Sequence, residues 1–359
     1  MNPEPVRSVS RQRAYEVTAF GEVVMGPLQG YHHETYVVRL PGGTRRVKVR
    51  ELRDGILWFD RRCFRSEEQL LRGLQGWITY IPDVFDVDGM HMQGFIEGRT
   101  LGRSLLWSRR VPGPLFVQLV QLFEQMVHIT PDKLWVERRC ALDDRAVDGD
   151  TDRFLGTLID FMEQRVYYAN LERFGSLFQQ LGLGSESIMF LRKSVAGLRA
   201  RPFCLLHGDL HRENLVIDPG GNLWTIDWEL ALLGDPLYDL ATHLYLMRYP
   251  ADQERAMVRE WCRVVELVRP GSSYGWEEDL PRILAFKKAQ SVFTDVIRTS
   301  LSLGAGSKFD WSMLPGAVRR LRDILAAAAE PLGLEMVPTP AQIMAALVRW
   351  QRTTHLEFA

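Results

Sequence analysis

Residues 205–236 read LLHGDLHRENLVIDPGGNLWTIDWELALLGDP. Two short apolar runs, NLVID and LWTID, flank the turn Pro219-Gly220-Gly221-Asn222, whose glycines accept the positive φ angles of tight hairpin turns. With the turn centred between Gly220 and Gly221, paired residue numbers sum to 441, which sets Asn214 opposite Asp227 at the open end of the hairpin. A carboxylate in such surroundings costs on the order of several kcal/mol unless something compensates its charge. An amide oxygen beside a carboxylate is a perch for a hard cation such as Mg²⁺. That ion takes one or two protein carboxylates and completes its shell with water and substrate phosphates, so the metal implies a nucleotide. Asp209, five positions before Asn214 on what must be a loop, is placed to orient or deprotonate an attacking hydroxyl. A competing reading takes His207, Asp209 and His211 as alternating metal ligands of a His/Asp hydrolase, but no third histidine stands nearby.

The rest of the chain bounds these readings. Its 359 residues suit one large domain or two lobes. Lys and Arg number 44 against 45 Asp and Glu, so no global field attracts nucleic acid or an anionic membrane, and a small-molecule partner is expected. Cys63, Cys140, Cys204 and Cys262 are widely spaced and form no CxxC or Cys/His cluster, which signals neither a zinc site nor a disulfide framework. The N-terminus lacks the basic-then-apolar order of a signal peptide, and no apolar run is long enough to span a bilayer. These features together predict a soluble protein of the reducing cytoplasm.

Along the chain, YEVTAF, ETYVVRL, RRVKVREL and GILWF read as strands of an antiparallel sheet. Ser66-Glu67-Glu68-Gln69 before LLRGL has the form of a capping box and predicts one helix among them. After Gly98 helices dominate. Leu115, Leu119, Leu122, Phe123 and Met126 share one stripe behind Pro114, and amphipathic helices follow from FLGTLIDFMEQRVYYANLERFGSLFQQL to AQIMAALVRWQRT. GMHMQGFIEGRTLG, residues 89–102, reads as the break between the two halves.

His207-Gly208-Asp209-Leu210-His211-x-x-Asn214, then Ile226-Asp227-Trp228-Glu229, then Gly234-Asp235-Pro236-x-x-Asp239 resembles the aminoglycoside phosphotransferase and choline kinase group. The resemblance implies an α+β, protein-kinase-like fold with a small β-rich nucleotide-binding lobe (1–97, hinge 92–98) and a larger, mainly helical lobe (98–359). It implies Mg²⁺-dependent transfer of the γ-phosphate of ATP or GTP to a hydroxyl of a small molecule. An antibiotic leads as acceptor; choline, homoserine or a sugar-like metabolite is the alternative, and a non-catalytic nucleotide-binding regulator is the reading from another class. Asp209 would be the catalytic aspartate, and Asn214 and Asp227 would hold the metal. His207 would brace the loop, and Asp235 and Asp239 would anchor it. Lys48, isolated in a chain that prefers arginine, would meet the phosphates, with Glu67 as its best-matching helical partner and Glu68 close behind. The phosphate-covering loop would lie around Gly30, where GPLQGYHHETYVV lacks a full glycine pattern, and GFIEG would bind the base through the backbone of Gly94 and Ile96. Glu163, Asp252, Glu277, Glu278 and Asp279 are candidates for a cationic acceptor, and Tyr167, Tyr168, Tyr245 and Trp276 for an aromatic box.

Overall fold

The alternation in RRVKVREL becomes a two-sided strand. Val47 and Val49 pack with Tyr36, Val38 and Met92, while Lys48 and Arg50 line a polar cavity. The structure, a computed structural model, describes residues 22–28, 33–40, 44–52, 61–87, 89–104, 109–140, 145–304 and 309–357. YEVTAF, GILWF and Gly30 lie outside the described residues.

Five strands, β1 (Glu22–Leu28), β2 (His33–Arg39), β3 (Arg46–Leu52), β4 (Val84–Val87) and β5 (Met90–Gly94), form an antiparallel sheet in the order β1-β2-β3-β5-β4. One helix, α1 (Glu67–Leu74), follows β3, and Ser66 Oγ accepts the Gln69 amide at its start. The segment 89–102, expected as the break between the two halves, holds β5, paired with both β3 and β4, and β6 (Arg99–Thr100). Its flanking glycines suggest a linker. Five alternating residues are too few to announce a strand, and β5 acquires its structure from the neighbours that pair with it.

Then follow α2 (Leu101–Ser104), α3 (Gly113–Val127), α4 (Thr151–Phe161), α5 (Leu171–Gln180) and α6 (Ser185–Ser194). The single helix expected between Phe154 and Leu181 is interrupted by a π-helical stretch at Met162–Tyr167 and a 3₁₀ turn at Tyr168–Asn170. Asn170 Nδ2 donates to the Val166 carbonyl at 2.8 Å, giving that oxygen a side-chain partner where the turn changes. The chain continues through β7 (Cys204–Leu206), β8 (Leu215–Ile217), β9 (Leu223–Thr225) and β10 (Leu232–Gly234). It ends in α7 (Pro236–Met247), α8 (Ala251–Val268), α9 (Trp276–Gln290), α10 (Val292–Ser302), α11 (Leu314–Ala327) and α12 (Pro340–Glu357). One apolar core runs beneath them and includes Leu115, Leu119, Leu122, Phe123 and Met126 of α3. Among the described residues no helix is long and apolar enough to cross a membrane.

The hairpin is built one residue differently from the sequence expectation. Leu215 pairs with Thr225, Val216 with Trp224 and Ile217 with Leu223, so the pairs sum to 440 rather than 441. The connection is a three-residue loop, 219–221, with Gly221 at φ 82°. Asp218 fixes it, its carboxylate accepting the Asn222 amide and Trp224 Nε1, each at 2.8 Å. Asn214 therefore faces Ile226, whose amide its carbonyl accepts at 3.0 Å, and Asp227 stands one place beyond the ladder.

Two histidines are sealed in this core. His243 bridges the Leu210 carbonyl (3.0 Å) and the Tyr249 hydroxyl (2.8 Å), and burial lowers both His207 and His243 to about 4 from 6.5. Between those values the unfolded chain binds the protons that the folded chain excludes, so the contribution of these two histidines to stability rises with pH across this window. Buried carboxyls raised in the same window, Asp239 and Glu229, act in the opposite sense, so the histidine share is read by difference: in urea unfolding from pH 6.5 down to 4 the wild-type chain is expected to lose stability relative to His243→Phe.

Candidate active site

β7 delivers His207, Gly208 and Asp209 to the open end of the hairpin. Gly208 has φ 79°, and a β-carbon there would lie 2.6 Å from the Leu230 carbonyl oxygen, so both backbone and space demand glycine. Asp239 of α7 clamps the turn, accepting the His207 amide at 3.0 Å and the Gly208 amide at 2.8 Å. Burial pushes its carboxyl up to about 6 although both amides act to lower it. His207 Nδ1 accepts the Asp209 amide at 3.3 Å, which leaves Nε2–H to donate to the Ile226 carbonyl at 3.2 Å. Its ring lies 4.6 Å from the Trp228 ring, centre to centre. Asp235 caps α7 through the Leu237 amide and also takes Arg201 and the Thr151 hydroxyl.

Asp209 is oriented by two neighbours. Asn214 Nδ2 donates to its carbonyl at 2.9 Å and to Oδ2 at 3.2 Å. His211 Nδ1 accepts the Glu213 amide, so Nε2 carries the proton that faces Asp209 Oδ2 at 3.3 Å. The second contact was not expected from the sequence; the two-residue spacing of Asp209 and His211 was its only trace.

Asp227 adopts φ 66°, ψ 61°, a left-handed conformation that non-glycine residues rarely hold and that turns it off the ladder. One oxygen each from Asp227, Glu67 and Glu229 lie within 4.8 Å of one another. Burial, then the charge of Glu67, pushes the Asp227 carboxyl above its usual range, while Arg50 and Lys48 pull the other way. Burial followed by the charge of Asp227 raises Glu229 to about 7, although Arg62 Nη2 lies 2.8 Å from it. Buried acids driven towards neutrality favour an added cation, and the carboxylate oxygens gathered here are hard donors of the kind that fit Mg²⁺.

The expected ion pair between Lys48 and Glu67 is not formed. Arg50, two residues along the same face of β3, places Nη2 2.6 Å from Glu67 Oε2 and 3.1 Å from Glu68 Oε1. Lys48 makes no ion pair among the described residues; burial and the charge of Arg50 lower it, while Glu67 and Asp227 pull it up. Glu67 also accepts the Trp228 amide at 2.9 Å. Burial alone would raise its carboxyl, but Arg50, by charge and hydrogen bond, and the Trp228 amide hold it at about 2. Glu229 and Arg50 were both missed from sequence. The strand period offered a signal for Arg50, whereas Glu229 needs the turn after Asp227. Lys48, Arg50, Arg62, Glu67, Trp228 and Glu229 all line one cavity of about 300 Å³.

At the edge of the sheet, the Gly94 amide donates to Asp83 (2.8 Å) and the Phe95 amide to Arg46 (2.9 Å). The Ile96 amide makes no hydrogen bond among the described residues.

The family model described as the phosphotransferase enzyme family matches residues 27–271, which takes in β2 to β5 of the sheet, the loop that carries Asp209 and the hairpin. The chain belongs to the phosphotransferase enzyme family. As a member it is a phosphotransferase of protein-kinase-like fold, the fold class the sequence predicted. Among solved structures it is similar to a choline/ethanolamine kinase family protein from Mesorhizobium loti, with 17% identity, TM-score 0.53, and 95% of this chain and 99% of that one covered. It is similar to the choline kinase LicA from Streptococcus pneumoniae, with 16% identity, TM-score 0.50, and 89% and 98% covered. It is also similar to the macrolide 2'-phosphotransferase MphH from Brachybacterium faecium, with 15% identity, TM-score 0.50, and 90% and 98% covered. Likeness at these identities establishes the shared fold. No curated protein matches the sequence significantly.

Three substitutions test the scaffold of this phosphotransferase. Arg50→Ala or Glu67→Ala should each destabilise the chain by about 3–5 kcal/mol, because either leaves a buried charge unpaired, and the double variant should cost clearly less than the sum. Denaturant melts of the four proteins measure this. Gly208→Ala should cost about 1–3 kcal/mol from the left-handed backbone alone, with the clash at Leu230 added.

Proposed function

We propose that this chain transfers the γ-phosphate of ATP or GTP, with Mg²⁺, to a hydroxyl of a small molecule. The observation that carries the reading is the convergence on one loop and hairpin of Asp209, oriented by His211 and Asn214, with Asp227 beside Lys48. Asp209 Oδ1 makes no hydrogen bond among the described residues and is the atom assigned to the acceptor hydroxyl. His211 and Asn214 hold Oδ2, fix the carboxylate plane and leave one lone-pair direction for the incoming O–H. Lys48, lacking an internal ion pair, offers its ammonium to the donor phosphates. Arg50 takes over the anchoring of Glu67. Asn214 and Asp227 would hold Mg²⁺, which when bound neutralises phosphate charge. We assign the adenine or guanine contacts to the Gly94 carbonyl and the Ile96 amide, and take 92–98 as the hinge between lobes 1–97 and 98–359.

For the acceptor, several carboxylates that would have suited a polycation are committed elsewhere. Glu163 pairs with Arg192 at 2.6 Å, Asp252 with Arg110 at 2.5 Å, Glu278 with Arg199 at 2.8 Å and Asp279 with Arg201 at 2.7 Å. Tyr167 packs against Phe178 and Phe293. These pairings, two of them at the surface, favour an acceptor with a single amine or none, either a metabolic alcohol or a macrolide-like antibiotic, over a polycationic aminoglycoside.

Incubation with Mg²⁺ and ATP or GTP against aminoglycosides, macrolides, choline, homoserine and sugars, read by mass spectrometry, should reveal one product carrying a single added phosphate. Asp209→Ala should remove turnover and leave nucleotide affinity within about threefold, whereas Asp227→Ala should abolish the Mg²⁺-dependent part of nucleotide binding. Turnover surviving in Asp209→Ala sinks the assignment of that residue.

A further inference from the structure

Cys63 and Cys140, 77 residues apart in the chain, meet where the segment entering α1 crosses the loop that follows α3. Phe64 bridges Arg138, and the Arg139 amide donates to the Cys63 carbonyl at 2.8 Å. Cys140 Sγ lies 4.0 Å from that same carbonyl. The Cys140 side chain thus reaches Cys63, whose side chain lies near enough to act on it as a hydrogen-bonding neighbour. Both line a cavity of about 70 Å³ whose wall also carries Arg61, Arg138 and Arg145. Arg145 Nη2 is 3.1 Å from the Cys140 carbonyl.

The surroundings separate this sulfur from the other three. The hydrogen bond from Cys63 lowers the Cys140 thiol against the effect of burial, and Arg145 and Arg61 lower it further. The same hydrogen bond, then burial, raises Cys63. Burial raises Cys204, and it raises Cys262 to about 11. Arg138 is lowered by burial and by the charge of Arg145, as expected where like charges crowd. A partly exposed sulfur in an electropositive cavity shared with a second cysteine is the environment in which cysteines react.

We propose that Cys140 is a peroxide-reactive thiolate and that Cys63 resolves it into an intramolecular disulfide, tying the segment that enters α1 to the loop after α3. The Cys140 sulfur attacks one peroxide oxygen and the O–O bond breaks, giving a sulfenic acid and a hydroxide that leaves as water on taking a proton. Cys63 gives up its proton, and its sulfur displaces hydroxide from the Cys140 sulfur. The S–S bond forms and a second water departs. The peroxide gains two electrons and the two thiols lose two hydrogens. The bond would sit just ahead of Ser66 and Glu67, at the start of the helix that supplies the Arg50 partner. The proposal does not depend on phosphate transfer, because its chemistry is read from the sulfurs themselves.

The test uses the full chain, reduced, desalted and treated with one to a few equivalents of hydrogen peroxide. Free thiols are then blocked with N-ethylmaleimide under denaturing conditions, and the digest is read by mass spectrometry. The expected result is a Cys63–Cys140 linked peptide, reversed by dithiothreitol, with Cys204 and Cys262 recovered as blocked thiols. In Cys63→Ser the same dose should give a Cys140 sulfenic acid trapped by dimedone, and Cys140→Ser should show neither product while keeping the wild-type circular dichroism. Iodoacetamide at pH 6 should alkylate Cys140 at least about tenfold faster than Cys262. Recovery of Cys140 as a free thiol, or its linkage to Cys204, Cys262 or a second chain, would overturn the proposal.

Discussion

The carboxylate of Glu67 is reached from three parts of the chain at once. Arg50 comes from strand β3, the Trp228 amide from the turn after the hairpin, and Glu67 itself starts helix α1. Its side chain is only 3% exposed. Taking such a group out of water costs several kcal/mol, and only close, well-directed partners offset that. The arrangement therefore exists only when strand, helix and turn are all in place, which makes Glu67 the joint between the sheet and the turn that follows Asp227. Glu68 extends it, accepting Gln93 Nε2 of β5 at 3.0 Å and the Ser66 hydroxyl at 2.8 Å.

A second buried network holds the loop from below. Arg201 is fully buried, with Nη2 2.8 Å from Asp235 and Nη1 2.7 Å from Asp279. Asp235 in turn caps α7, and α7 carries Asp239, which clamps His207 and Gly208. Position is thus passed from α9 through an ion pair to a helix start, and from that helix to the backbone beside Asp209. Charged groups at these sites contribute less to net stability than their number suggests, because desolvation cancels much of each attraction. Their effect is directional: each ties the loop to a neighbouring helix through named atoms.

The sequence carried much of this site. His207, Gly208, Asp209, Asn214, Asp227, Asp235 and Asp239 stand out because a carboxylate or amide inside an apolar run needs a reason, and each is found with a specific partner or a strained backbone. Lys48 was legible from strand period and rarity. The register of the hairpin was not, since a two-residue and a three-residue loop differ by one position and both tolerate Gly220-Gly221; the Asp218 side chain selects the longer one. Strand β5 was hidden for a related reason, being too short for its own pattern and defined by β3 and β4 beside it.

Local chemistry is written in order along the chain, so the sequence by itself determined the fold class, the polar loop and hairpin, and the face of β3 that turns towards the site. Which cation holds Glu67 was left to the tertiary structure, because Lys48 and Arg50 share that face and only the placement of α1 distinguishes them. The meeting of Cys63 with Cys140, of Asp239 with Gly208 and of Glu67 with Trp228 likewise joins residues far apart in sequence. Such contacts depend on how whole elements pack, and side-chain spacing along a single segment carries no record of them.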